Sequence, residues 1–228
     1  HWFALTRRAR VVYASRERVA DTAIRYEDLA DPKWRGRICM RSGQHTYNIG
    51  LVASMIANLG PEKAEAWLKG VKSNLARKPA GGDRDQVKGV YSGECDLAVG
   101  NTYYMGQMMT NEAEPEQQQW AASVKMLFPN AEDRGTHVNI SGAALLKHAP
   151  HRAAAVELLD FLGSEEGQKL YAERNNEYPV RDGVAQSSLV EGWGPLKADP
   201  LALDKMAKHR KEASEMVDRV GFDQGPGA

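Results

Sequence analysis

Leu97-Ala98-Val99-Gly100-Asn101-Thr102-Tyr103-Tyr104-Met105-Gly106 decides how this chain is read. Residues 97–100 have the small, apolar character of a short buried strand. The chain breaks at Asn101-Thr102, and residues 103–110 start a helix. In open α/β sheets, ligands collect at the carboxyl ends of strands, where strand gives way to helix. Two adjacent tyrosines at such a point face in different directions. One in the core and one exposed would be the ordinary arrangement.

A second junction of the same kind lies upstream. Residues 37–41 read as a short strand, Ser42-Gly43 as a turn, and residues 48–59 as an apolar-rich helix closed by Gly60. The loop between them, Arg41-Ser42-Gly43-Gln44-His45-Thr46-Tyr47-Asn48, offers a third phenol. Phenolates are hard, anionic oxygen donors that suit a hard, highly charged cation such as ferric iron. A free tyrosine titrates near pH ~10, so coordination must supply the energy to remove the proton, and such a site weakens in acid. His45, two residues before Tyr47, fits a supporting or surface role better than a ligand role.

Working outward, residues 2–14 read as a strand leading into a turn. Residues 25–29 form a helical turn before a Pro/Gly-punctuated loop at 31–36. Residues 61–70 form a helix with Pro61 at its start and Ala64, Trp67 and Leu68 on one face. A loop at 79–83 precedes a short helix at 84–91. Residues 124–128 are a strand, and 137–146 a strand running into helix with its bend at Ser141-Gly142. Ala155, Leu158, Leu159 and Leu162 mark a helix over 152–162, and another covers 164–171. A charged amphipathic helix spans 201–220, and the tail at 224–227 is expected to fray. Strands alternate with helices, which predicts an α/β chain with mostly parallel pairing.

The bulk numbers exclude several classes. With 228 residues, 42% of them hydrophobic, the chain can build one sizeable domain or two small lobes. Thirty basic residues balance thirty acidic ones, so nothing suggests the cationic surface of a nucleic-acid binder. No apolar run approaches the roughly 18 residues of a membrane span. The opening residues lack the basic and long apolar regions of a signal peptide and carry no start methionine, so the chain is expected to begin inside a longer or processed protein. No HExxH, GxSxG or P-loop pattern is present, and Gly81-Gly82 lacks the GxGxxG spacing. The six histidines are scattered; His148 and His151 lie in a linker and read as solvated residues. Asp83 with Asp85, and Glu165 with Glu166, are explained as helix-entry residues. An enzyme is not expected.

Cys39 and Cys95 each sit at the start of an expected strand. Parallel neighbouring strands would bring their sulfurs within bonding reach, which suggests a disulfide and an oxidising compartment; two buried free thiols are the alternative.

At this point the residues resemble a known family, the bacterial periplasmic ferric-ion-binding proteins that serve ABC transporters. The matching segments include Trp2-Phe3-Ala4-Leu5-Thr6-Arg7-Arg8-Ala9-Arg10-Val11, Arg41 through Asn48, Asn74-Leu75-Ala76-Arg77-Lys78-Pro79, Gly81 through Gln86, Gly93 through Asp96, Gly100-Asn101-Thr102-Tyr103-Tyr104 and Asn176-Glu177-Tyr178-Pro179-Val180. The resemblance implies a type II periplasmic-binding fold of two lobes, mostly parallel sheets flanked by helices, with the first lobe incomplete because family members carry a further N-terminal part. It implies a hinge strand at 1–10, the tyrosine-bearing second lobe at 11–131, a return segment of the first lobe at 132–182, and a helical segment at 183–228 packing on the second lobe. Tyr47, Tyr103 and Tyr104 match the family's phenolate ligands to Fe3+. Carbonate or another small oxyanion completes the shell, with Arg8, Arg10, the Ser42-Gly43 turn and Asn101 as candidates to hold it, since arginine supplies a bidentate, permanently charged partner. A structural salt bridge is the competing role for Arg10 and Arg8. The implied function is periplasmic capture of ferric iron by a monomer and its delivery to an inner-membrane ABC transporter permease, with no nucleic-acid partner. A binding protein for a small anion or organic ligand, without metal, is the alternative on the same fold.

Overall fold

The computed structural model describes residues 2–227; His1 and Ala228 lie outside the described residues. Its spine is one long strand, β1 (Trp2–Ser15), whose two ends belong to different sheet regions. The inner end pairs with β3 (Leu97–Asn101) and β4 (Val124–Leu127), and β2 (Ile38–Cys39) adds beyond β3, giving the order β2-β3-β1-β4. The outer end pairs with β5 (Val138–Ala144) and β6 (Tyr178–Pro179).

Among the strand pairs of the described residues β2–β3 is parallel, while β1 runs antiparallel to β3, β4, β5 and β6, which corrects the expectation of mostly parallel pairing. The reason lies in the connections. β2, β3 and β4 are joined by helical crossovers and run the same way, as such connections require. β1 enters from the outer region and inserts between β3 and β4 against their direction. Strand–helix alternation detects the crossovers and is blind to the inserted strand.

Side chains of the inner sheet alternate between two cores with the period of two that a strand imposes. Val12, Ala14, Leu97 and Val99 face one cluster, while Val11, Tyr13 and Ala98 face the other. The first is covered by α1 (Thr46–Leu59) and α2 (Pro61–Asn74), which supply Leu51, Val52, Met55, Trp67 and Leu68. The second is covered by α3 (Asp83–Tyr91), α4 (Tyr103–Met109) and α5 (Glu116–Ser123), through Val87, Val90, Met105 and Trp120. Burial on both faces explains why residues 97–100 are so uniformly apolar.

The outer region differs from expectation at one point. Residues 138–144 are strand throughout, with no turn into helix. Ser141-Gly142 looks like a bend in sequence, but Gly142 serves close approach: a Cβ there would lie 2.5 Å from the Phe3 carbonyl oxygen. A register shift in β1 between Ala4 and Thr6 sits beside it. α6 (Arg152–Gly163) and α7 (Glu165–Asn175) follow, and α6 has no buried residue.

The C-terminal helix is two, after the short α8 (Ser188–Glu191): α9 (Leu203–Lys208) and α10 (Arg210–Val220), parted at His209. Ala213, Met216, Val217 and Phe222 complete the α1–α2 core, and Gly225 is buried against Lys78, so the tail is packed at least that far instead of fraying. Cys39 and Cys95 are joined in a disulfide with Cα atoms 5.9 Å apart, tying β2 to the turn before β3.

Candidate metal-binding site

Both junctions singled out in the sequence end on the same spot. β3 delivers Tyr103 and Tyr104 into the first turn of α4. The loop after β2 delivers Tyr47 into the first turn of α1, where His45 stands at the N-cap and its Nδ1 accepts from the Tyr47 amide at 3.3 Å. The Tyr47 and Tyr103 hydroxyl oxygens are 3.0 Å apart, and the Tyr103 and Tyr104 rings lie 4.3 Å apart, tilted by 35°. All three rings are half-buried, so neither member of the adjacent pair is a core residue. Burial, and then the hydrogen bonds with Tyr104 and Tyr47, push the Tyr103 phenol well above the ordinary range. Burial lowers the titration of His45, with Arg41 adding to the effect. Among the described residues, no group of three or more His, Cys, Asp or Glu is placed to hold a metal ion. The hard donors gathered here are phenols.

Three guanidinium groups surround the Tyr47 ring, with those of Arg8, Arg10 and Arg41 5.6, 5.8 and 5.3 Å from its centre. They are differently committed. Arg10 is buried and donates to Asp83 (2.6 Å), Asn101 Oδ1 (3.1 Å) and Asn48 Oδ1 (2.8 Å). Asp83, with no exposed surface, also accepts from Arg41 (3.1 Å) and from the Asn101 amide (2.8 Å). Asp83 is thus the charge that holds Arg10, Arg41 and the end of β3 together. The sequence presented it as a helix-entry residue, and Asn48 as part of a helix; their partners are distant in sequence. Arg10, expected as a candidate anion holder, has its terminal nitrogens engaged by Asp83, Asn101, Asn48 and the Val99 carbonyl.

Arg8 is only half-buried. It donates to Ser141 Oγ at 2.7 Å, Ser141 donates to Glu177 (3.0 Å), and Thr6 donates to the same carboxylate. Arg8, Tyr47 and Asn101 border a space of about 10 Å³ together with His137 and Asn139, enough for about one water-sized group. Burial, with Arg10 and Arg8 adding to it, lowers the His137 titration to about 3, so the ring is neutral there. His137 and Asn139 carried no motif and are placed here by β5 pairing to β1.

The Ser42-Gly43 turn already holds an anion, and it is the chain's own. Asp223 accepts from Ser42 Oγ (2.7 Å) and from the Gly43 amide (2.6 Å). Phe222 and Val217 lie so close that a Cβ on Gly43 would meet both at 2.8 Å. Those donors, expected as candidates to hold an external anion, here dock the C-terminal tail through Asp223. His148 and His151 lie in and beside the loop before α6, where His151 is its N-cap.

The model of the family described as "Bacterial extracellular solute-binding protein" matches residues 1–194, and the chain belongs to that family. It is 44% identical to "Iron uptake protein A1" of Synechocystis sp. over 97% of this chain and 61% of that protein. The chain spans between 61% and 65% of the length of the first three curated relatives it matches. Among solved structures it is similar to Mannheimia haemolytica ferric iron-binding protein A in an open conformation, with a TM-score of 0.92 and 48% identity over 97% of this chain and 70% of that one. A Trichodesmium protein (IdiA, FutA) solved in complex with iron and citrate ligands matches with a TM-score of 0.92 and 41% identity, over 97% of this chain and 70% of that one.

Proposed function

We propose that this chain binds ferric iron through the phenolates of Tyr47, Tyr103 and Tyr104 and serves periplasmic iron capture for an ABC transporter. The observation that carries this reading is the meeting of three phenols from two separate strand-to-helix junctions, with Tyr47 and Tyr103 in hydrogen-bond contact. A structural role does not require it, because the neighbouring cores are closed without these half-buried rings. The iron-binding relatives support the choice of substrate.

In this reading the iron-free site keeps its phenols protonated and bonded to one another. Ferric iron displaces phenol protons, and burial makes loss of the Tyr103 proton costly without the metal, so the protein binds best at neutral and alkaline pH and releases iron in acid. Arg8 and Asn101 border the water-sized space beside Tyr47 and would offer donors to a small oxyanion completing the shell only if that space widens on binding. The outer half of β1 with β5, β6, α6 and α7 acts as the return part of a first lobe. Residues 11–131 form the second lobe, on which residues 183–228 pack. Closure of the lobes would exclude water and strengthen each charged contact.

The test is a visible absorption titration of the purified chain with ferrous sulfate oxidised in air in the presence of bicarbonate. A charge-transfer band saturating near one iron per chain, lost in Tyr103→Phe, is expected. Saturable iron uptake without a band, or an unchanged band in Tyr103→Phe, would remove the phenolate assignment.

A further inference from the structure

A cavity of about 490 Å³ lies between α4, α5, β4 and the chain just after α8. We propose that it binds a small amphipathic anion, an aliphatic or aromatic body carrying one carboxylate, at a place separate from the phenols. Tyr47, Tyr103 and Tyr104 do not line it, so this ligand is not one held with the metal, and the proposal stands without the iron reading.

Small-molecule sites run from roughly 300 to 1,000 Å³ and are mostly apolar, with a few polar groups that fix orientation. The walls here include Met105, Met109, Met126 and the Trp193 ring. Met105 and Met109 stand four residues apart on α4, which puts both on one face of the helix. Thioether side chains adapt to irregular apolar shapes and make favourable contacts with aromatic rings. Met109 is 45% exposed, so a ligand seated here covers apolar surface that otherwise meets water.

The charged groups at this cavity are both cations. Arg16 and Lys125 line it, and no Asp or Glu does so among the described residues. Arg16 donates through Nε to the Ala122 carbonyl oxygen at 3.1 Å, and neither cation forms an ion pair among the described residues. The Asp21 carboxyl is held below its usual value first by its hydrogen bond from Lys33 (3.1 Å), with Lys125 the smallest contributor, so Asp21 is committed to Lys33. Trp193 Nε1 is shielded from solvent and has no hydrogen-bond partner among the described residues, whereas buried donors are nearly always paired. A carboxylate supplies an acceptor for that donor and a counter-charge for the two cations. Thioethers by themselves would suit a soft metal cation, but Arg16 and Lys125 repel any cation placed between them.

The test is a calorimetric titration of the chain with sodium octanoate and with sodium 1-naphthoate, set against neutral 1-octanol at constant ionic strength. At least one of the anions should bind saturably, near one per chain, and at least about tenfold more tightly than octanol. Arg16→Gln/Lys125→Gln should weaken that binding by at least about tenfold. Lys125→Gln alone should lose part of the affinity, which keeps the test independent of the Arg16 bond to Ala122. Trp193→Phe, which keeps an aromatic ring and removes the donor, should weaken the anion more than it weakens octanol. Failure of both anions to bind, octanol binding as tightly as the anions, or unchanged affinity in both charge variants overturns the site.

Discussion

The two ends of β1 obey different rules. Its inner end, from Ala9 to Ser15, is buried at every residue, sandwiched between two apolar clusters and flanked by β3 and β4. At its outer end Trp2 is 55% exposed, pairing is with β5 and β6, and the neighbouring α6 buries nothing. The inner end is held by packing on both faces, the outer end by backbone hydrogen bonds and a short polar chain through Thr6, Glu177, Ser141 and Arg8. Tyr47, Tyr103 and Tyr104 all stand on helices of the inner half. Positioning of the phenols is therefore set by the better-packed half, and what the outer half adds to the site reaches it through Arg8, His137 and Asn139.

The strongest test of this contrast is Asp83→Ala. It strands the Arg10 guanidinium, 2% exposed, beside Arg41 without the carboxylate that neutralises both. Breaking one partner of a buried pair costs about 3–5 kcal/mol, and urea unfolding should show a loss of that size. A loss below about 1 kcal/mol would mean that the inner half tolerates an unpaired charge and is not the rigid platform described.

Much of this was legible in the sequence, and the failures share a cause. The tyrosine junctions, the Cys39–Cys95 pair, the α1 stop at Gly60 and the α/β class all follow from local pattern: an apolar run, a turn residue, a period. What was missed depends on partners far along the chain. Asp83 looks like any helix-entry carboxylate until β1 brings Arg10 to it across 73 positions. The Ser42-Gly43 turn looks open until Asp223 arrives from 180 positions away. The antiparallel insertion of β1 has no local signature, since burial on both faces produces the same apolar run in either direction. α5, rich in glutamine, buries Trp120 and Ala121 with little apolar periodicity to announce it.

A smaller effect is expected at the rim of the inner half, at Asp96. Burial raises its titration, but the hydrogen bonds from Arg18 and Arg37 outweigh that and hold the carboxyl below its usual value. A group whose folded pKa is depressed contributes stability above its unfolded value, near ~3.9, and loses it as pH falls through the folded one. Both arginines are 37% exposed, so solvent screening limits the effect to about 1 kcal/mol. Unfolding free energies of wild type and Asp96→Asn should differ by a constant amount above pH ~5 and converge in stronger acid. A difference that persists at the acid end would trace to packing instead of charge.

The smallest effect should come from the outer half. Leu158 belongs to the apolar stripe that predicted α6, yet it is 56% exposed. Leu158→Ala should therefore change unfolding stability by no more than about 0.5 kcal/mol, where a fully buried leucine such as Leu68 would cost about 2–5 kcal/mol. A helix with so regular a stripe and no buried residue is unusual, because most helical stability in proteins comes from packing an amphipathic face. If Leu158→Ala cost as much as Leu68→Ala, that face would have to be covered in solution. The difference between the two ends of β1 would then reflect an uncovered surface and not a weaker half of the fold.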